Sequence, residues 1–92
     1  MDLGLNSKAV LVMASSTGLG KATALEFAAE GANVMLFSRG EELVRDTQAE
    51  IRELTVKEPA FTVGDVTRPE DIQRAVDNTV DKFGPIFALV NN

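Results

Sequence analysis

Ala9-Val10-Leu11-Val12-Met13-Ala14-Ser15-Ser16-Thr17-Gly18-Leu19-Gly20 is the stretch on which the fold turns: a nearly unbroken apolar run that stops abruptly in small and hydroxylated residues. The run at residues 9–14 has the character of a strand buried on both faces, which a parallel sheet requires. Residues 21–30 then place Ala22, Leu25, Ala28 and Ala29 on one stripe and predict a helix, with Gly31 where a helix ends.

The alternation continues outward from there. Asn33-Val34-Met35-Leu36-Phe37-Ser38 predicts a second buried strand. Residues 41–54 repeat Leu43, Thr47, Ile51 and Leu54 at helical spacing, with Glu41 and Glu42 at the start to suit the helix dipole. Residues 59–63 are strand-like, and Gly64-Asp65-Val66-Thr67 turns the chain. Thr67 and Glu70 have capping-box spacing, and Pro69 suits a first helical turn. From Pro69 to Phe83 one face collects Ile72, Ala75, Val76, Thr79, Val80 and Phe83. Gly84-Pro85 stops that helix, and Ile86-Phe87-Ala88-Leu89-Val90 predicts a fourth buried strand. The order β-α-β-α-β-α-β, with short right-handed crossovers, defines an α/β fold: a Rossmann-type, doubly wound parallel sheet in strand order 3-2-1-4. Residues 1–92 are expected to make one domain at most, a Rossmann half-domain with no repeat or linker.

Composition removes several functions. The chain has no cysteine and no histidine, which excludes a disulfide framework, a thiolate nucleophile, a zinc site and a Ser/His pair. Its net charge of -5 leaves no basic stripe for nucleic acid. Met1 to Lys8 lack the basic start and apolar run of a signal peptide, and no stretch approaches the roughly 20 apolar residues of a membrane span. A soluble, cytoplasmic protein is the expectation, with no metal and no membrane partner.

Ligands of doubly wound sheets sit beyond the carboxyl ends of the strands, where the strand order reverses, here between strands 1 and 4. The loop Ala14-Ser15-Ser16-Thr17-Gly18-Leu19-Gly20 lies at that point. Its small residues let a phosphate approach the backbone, and the first N–H groups of the next helix point at it. Gly18 permits close approach of a pyrophosphate, and Gly20 lets the helix pack tightly on the sheet. Ser15 and Ser16 have no base beside them and read as loop hydrogen-bonders, and Lys21 as a solvated helix residue.

On these residues the chain resembles the short-chain dehydrogenase/reductase family, whose glycine motif is Thr-Gly-x-x-x-Gly-x-Gly. Met13 stands for the Thr, Ala14 for the first Gly, and Gly18 and Gly20 for the other two. Lys8 to Val12 resembles the family's lead-in, Asp65-Val66 its Asp-Val pair flanking the adenine, and Leu89-Val90-Asn91-Asn92 the opening of its Asn-Asn-Ala-Gly signature. Within the family, the resemblance extends to 3-oxoacyl-carrier-protein reductases and to sugar or alcohol dehydrogenases. It covers essentially all 92 residues and implies a dinucleotide held by Ala14, Ser15, Ser16, Thr17, Gly18, Leu19, Gly20, Ser38, Arg39, Asp65, Val66, Asn91 and Asn92. Asn91 is implied to tie strand 4 to its neighbours and Asn92 to lie along the cofactor. Met13 lacks the hydroxyl of the family's Thr, and Ala14 adds a methyl near the expected adenosine ribose.

The cofactor can be argued from charge. A carboxylate at the end of strand 2 accepts hydrogen bonds from a ribose and repels a 2′-phosphate, whereas an Arg does the reverse. Here that strand ends Phe37-Ser38-Arg39-Gly40, which favours NADP over NAD. The family's catalytic Ser and Tyr-x-x-x-Lys have no counterpart among these residues, which include no Tyr, so no catalytic residue is assigned. The expectation is the amino-terminal, cofactor-holding part of a longer oxidoreductase acting on an alcohol/ketone pair. The alternatives are a non-catalytic nucleotide-binding module or a sheet for S-adenosylmethionine or a flavin. Asp65-Val66 and Asn91-Asn92 disfavour the last. By itself the chain is expected to associate through the apolar edge formed by residues 86–90.

Overall fold

The computed structural model describes residues 4–13 and 18–91. Ala14, Ser15, Ser16, Thr17 and Asn92, all expected to contact a cofactor, lie outside the described residues. The elements run β1 (Ala9–Met13), α1 (Gly18–Ala29), β2 (Asn33–Ser38), α2 (Glu41–Leu54), β3 (Ala60–Val63), α3 (Pro69–Phe83) and β4 (Ile86–Val90). Every strand pairing is parallel and the order is β3-β2-β1-β4, the doubly wound arrangement that the alternation predicts.

β1 and β2 are covered on both faces and paired on both edges, so a continuous apolar run suits each of them. All of β1 is buried, as is β2 beyond Asn33. Alternate residues serve opposite faces. Val10, Val12, Val34 and Leu36 pack with Ala24 and Ala28 of α1 and Val44 and Ile51 of α2. Leu11, Met13, Met35 and Phe37 pack with Ala75 of α3.

The helix faces depart from the expected stripes. In α1 the buried residues are Gly20, Ala24 and Ala28, while Ala22 and Ala29 are exposed. The helix starts three residues earlier than the apolar pattern implies, and its smallest side chains take the inner face. In α2 the core residues are Val44, Thr47 and Ile51, and Leu43 and Leu54 are 51% and 63% exposed. In α3 Ala75 and Thr79 are buried, Ile72, Val76 and Phe83 are half-buried, and Val80 is exposed. A side chain's distance from the helix axis decides how far it may face outward, so small residues sit directly over the sheet and larger ones flank them.

The capping box is absent. Pro69 occupies the first helical position and forces the residue before it into extended backbone, so Arg68 becomes the N-cap, with φ -109 and no side-chain cap bond. The Thr67 hydroxyl donates instead to Asp65 Oδ1 at 2.8 Å. β4 departs from the buried strand its apolar run predicts: Phe87 and Leu89 are each 56% exposed. Among the described residues β4 is an outer strand, paired only to β1.

Candidate functional site

The site region follows from the connections. α1 covers one face of the sheet and α3 the other, and the strand order reverses between β1 and β4. In doubly wound sheets the ligand crevice lies beyond the carboxyl ends of the strands at that reversal. Val12 lies beside Val90 in the register, and Met13 beside Phe37, so the strand ends reach a common level there. Asn91 follows Val90 at that level and is exposed.

Gly18, Leu19 and Gly20 form the first turn of α1 rather than the end of a loop. Gly18 has φ +53, a left-handed conformation that a side chain strains by about 1–2 kcal/mol. A Cβ there would meet nothing within 4 Å among the described residues, and the backbone conformation calls for glycine. Gly20 is buried on the same stripe as Ala24 and Ala28, as close helix–sheet packing demands. The first-turn N–H groups of any α-helix lack intrahelical acceptors, and here they lie at the carboxyl edge of the sheet.

The ends of β2 and β3 meet. Ser38 is only 7% exposed; its hydroxyl accepts from the Gly40 N–H at 3.4 Å and its carbonyl from the Gly64 N–H at 3.0 Å. The Arg39 side chain is 82% exposed, and its Nη1 stands 3.7 Å from Asp65 Oδ2. Val66 is 47% exposed beside it. Ser38, Arg39, Asp65 and Val66 are thus brought together; α1 and Asn91 occupy the same sheet edge without a described side-chain contact to them.

Asp65 is held from several sides. Its Oδ1 accepts from the Thr67 N–H at 2.9 Å and from the Thr67 hydroxyl. Its own N–H donates to Asp71 Oδ2 at 2.9 Å. The other Asp71 oxygen accepts from Arg74 Nη1 at 2.9 Å, and Arg74 Nη2 donates to the Val63 carbonyl. A Cβ on Gly64 would lie 2.8 Å from the Phe37 ring and 2.9 Å from Asp71 Cβ, so this glycine is required by close approach. Sequence reasoning missed Gly64, Asp71 and Arg74. Asp71 carries the ordinary signal of an acid in a first helical turn, which does not distinguish it from Glu70.

The Thr67 backbone N–H, then its hydroxyl, hold the Asp65 carboxyl below its ordinary value of 3.8, against the opposing effect of desolvation and with help from Arg39 and Arg68. The Asp65 N–H and Arg74 do the same for Asp71. Both groups bind protons more weakly when folded than when unfolded. Their stabilisation is therefore present above the ordinary carboxylate value and disappears as pH falls through the lower folded values. Thermal unfolding midpoints are expected to hold steady down to about pH 4 and to decline below it. A double Asp65→Asn, Asp71→Asn variant should show a shallower decline; an unchanged slope would show that other carboxylates set it.

Among the described residues no helix is long and apolar enough to cross a membrane, and no cluster of three or more His, Cys, Asp or Glu could hold a metal ion.

A parallel sheet in this order, with a small-residue helix entering at the strand-order reversal, defines a Rossmann-type nucleotide-binding architecture. Residues 8–92 match the family model described as short chain dehydrogenase. The chain belongs to the short-chain dehydrogenase family. It is 32% identical over 88 residues to an 11-beta-hydroxysteroid dehydrogenase of Pinus massoniana, covering 96% of this chain and 25% of that protein. It is 35% identical over 85 residues to a glucose 1-dehydrogenase of Gluconobacter oxydans, covering 92% of this chain and 32% of that one. The solved structure of L-sorbose reductase from Gluconobacter frateurii, complexed with NADPH and L-sorbose, superposes with a TM-score of 0.94 at 32% identity, covering 100% of this chain and 35% of that chain. The chain thus spans about a quarter to a third of the length of these relatives.

Proposed function

We propose that this chain is the NADP(H)-holding part of an oxidoreductase that interconverts an alcohol and a ketone. The observation that carries the cofactor choice is Arg39: it follows β2 directly, is 82% exposed, and its one described ion pair is the long contact to Asp65. A guanidinium presents a fork of donors that matches a phosphate, and at this place the phosphate is the 2′ group of the adenosine ribose. Support comes from the family membership and from the NADPH-bound sugar reductase that the fold superposes on.

In this reading Ala14, Ser15, Ser16 and Thr17 lead to the pyrophosphate, and the first-turn N–H groups of Gly18, Leu19 and Gly20 bind it. Ser38 lies by the ribose, Asp65 and Val66 flank the adenine, Asn91 ties β4 to its neighbours at the cofactor's edge, and Asn92 lies along the cofactor. Support also comes from the left-handed backbone of Gly18 at the start of α1 and from the shared edge of Asp65 and Arg39. NADP(H), when bound, supplies or accepts the hydride. These 92 residues contain no Tyr or His to exchange a proton with a ketone oxygen, so by themselves they bind and do not turn over.

Calorimetric titration of the chain with NADPH and with NADH tests the assignment. NADPH is expected to bind tighter, and Arg39→Ala to shrink that preference by about 1–3 kcal/mol, the scale of a charge-assisted hydrogen bond. Equal affinities before and after the change would refute the role of Arg39.

A further inference from the structure

The two acids in the first turn of α3 have different surroundings. The Glu70 side chain is 69% exposed, and its described ion pair is a 3.6 Å contact to Arg68. The Asp71 side chain is 15% exposed and both its oxygens are engaged. An acid at the third helical position commonly reaches back to the N–H of the N-cap, which here is Arg68. Asp71 reaches past it, to the N–H of Asp65, three residues ahead of the cap.

Three consecutive residues, the last of β3 and the first two of the β3–α3 loop, are thereby fixed from α3. Arg74 holds the Val63 carbonyl, the last of β3. Gly64 lies against the Phe37 ring and Asp71 Cβ, with no room for a side chain. Asp71 holds the Asp65 N–H. Arg74 also clamps Asp71 itself, so one guanidinium ties the strand end to the carboxylate that holds the loop. A helix that needed only a favourable charge at its start would be served by an exposed acid such as Glu70. The engaged geometry of Asp71 acts instead on the loop.

We propose that Asp71 and Arg74 are positioning residues for the adenine side of the site, fixing where the Asp65 carboxylate stands relative to Arg39. The proposal rests on the reading of Asp65 and Arg39 as cofactor contacts. In this role Asp71 and Arg74 act through the backbone of residues 63–65.

The test uses the 92-residue chain, with Asp71→Ala, Asp71→Asn and, as a control for charge at the helix start, Glu70→Ala. Amide hydrogen exchange read by NMR follows the Asp65 N–H without any ligand. In Asp71→Ala this amide is expected to exchange at least about ten-fold faster, the scale of a lost hydrogen bond to a charged group, while the amides of Ala75 to Val80 keep their rates. Asp71→Asn, which retains an oxygen for the Asp65 N–H, should fall between, and it carries the test if the Ala variant does not fold. Affinity for adenosine 2′,5′-bisphosphate should drop about ten-fold in Asp71→Ala and remain unchanged in Glu70→Ala. Unchanged exchange at Asp65 would overturn the proposal, as would faster exchange with undiminished affinity. Failure of the parent chain to bind the probe at all would overturn the proposed function together with this inference. Binding by the parent that the Asp71 variants leave intact would overturn the inference alone.

Discussion

Replacing Phe37 with Ala is expected to lower the unfolding free energy by about 3–5 kcal/mol, the range for deleting a buried aromatic ring. Phe37 is 0% exposed and heads the largest fully buried side chains. It lies near the carboxyl end of β2, level with Met13 of β1 and Thr62 of β3, and packs among Leu11, Met13, Met35 and Ala75. A chain of 92 residues has a total stability of roughly 5–14 kcal/mol, so this one ring accounts for a large share of it. Relaxation into the gap is hindered, because β2 is paired on both sides and α3 rests on the same face. The ring also floors the loop that carries Asp65, through its contact with Gly64. Urea denaturation followed by circular dichroism measures the effect, with Phe87→Ala as the comparison. Phe87 is 56% exposed, and its loss should cost under about 1.5 kcal/mol. A Phe37→Ala penalty no larger than that of Phe87→Ala would show that the ring is not packed as described.

The second large effect concerns association. The 92-residue chain is expected to self-associate at high concentration through β4, as a pair of copies joining their sheets. An outer strand without charge or proline presents unpaired backbone groups and is a template for another strand. β4 has that character along Ile86–Val90, and Phe87 and Leu89 leave apolar surface bare beside it. The other edge of the sheet is better guarded. β3 is short and follows Pro59, and the Arg45 guanidinium stands 5.2 Å from the centre of the Phe61 ring. On β4, Lys8 Nζ lies 5.6 Å from the centre of the Phe87 ring, so Leu89 is the less guarded position. Leu89→Lys should convert the associated species to monomer in sedimentation velocity, because two facing copies would each bring a charge into the contact. A parent chain that stays monomeric at high concentration, with β4 amides exchanging freely, would rule the idea out.

How much of this was legible beforehand depends on the range of the interactions involved. Hydrophobic runs, proline and glycine act within a few residues, which is why the seven elements and the sheet order follow from patterning. The same locality identified Gly18, Gly20, Arg39 and Asp65 as residues at strand ends and helix starts. Which side of a helix faces inward was not equally legible. Leu43 and Val44 are adjacent and both apolar, and only docking against β2 and β3 puts Val44 inside. The Thr67–Glu70 spacing is compatible with a capping box, yet Pro69 moves the cap to Arg68 and frees Thr67 for Asp65.

The sequence by itself determined the alternating α/β order, the buried central strands and the sheet edge at which Gly18, Arg39 and Asp65 stand, because those depend on residue type and spacing along the chain. Only the tertiary structure decided that Arg39 meets Asp65, that Gly64 must lie flat on Phe37, and that Asp71 and Arg74 hold the loop between them. Those contacts join residues from separate elements, up to 27 positions apart in the Phe37–Gly64 pair, and exist only once the strands are in register and α3 has docked.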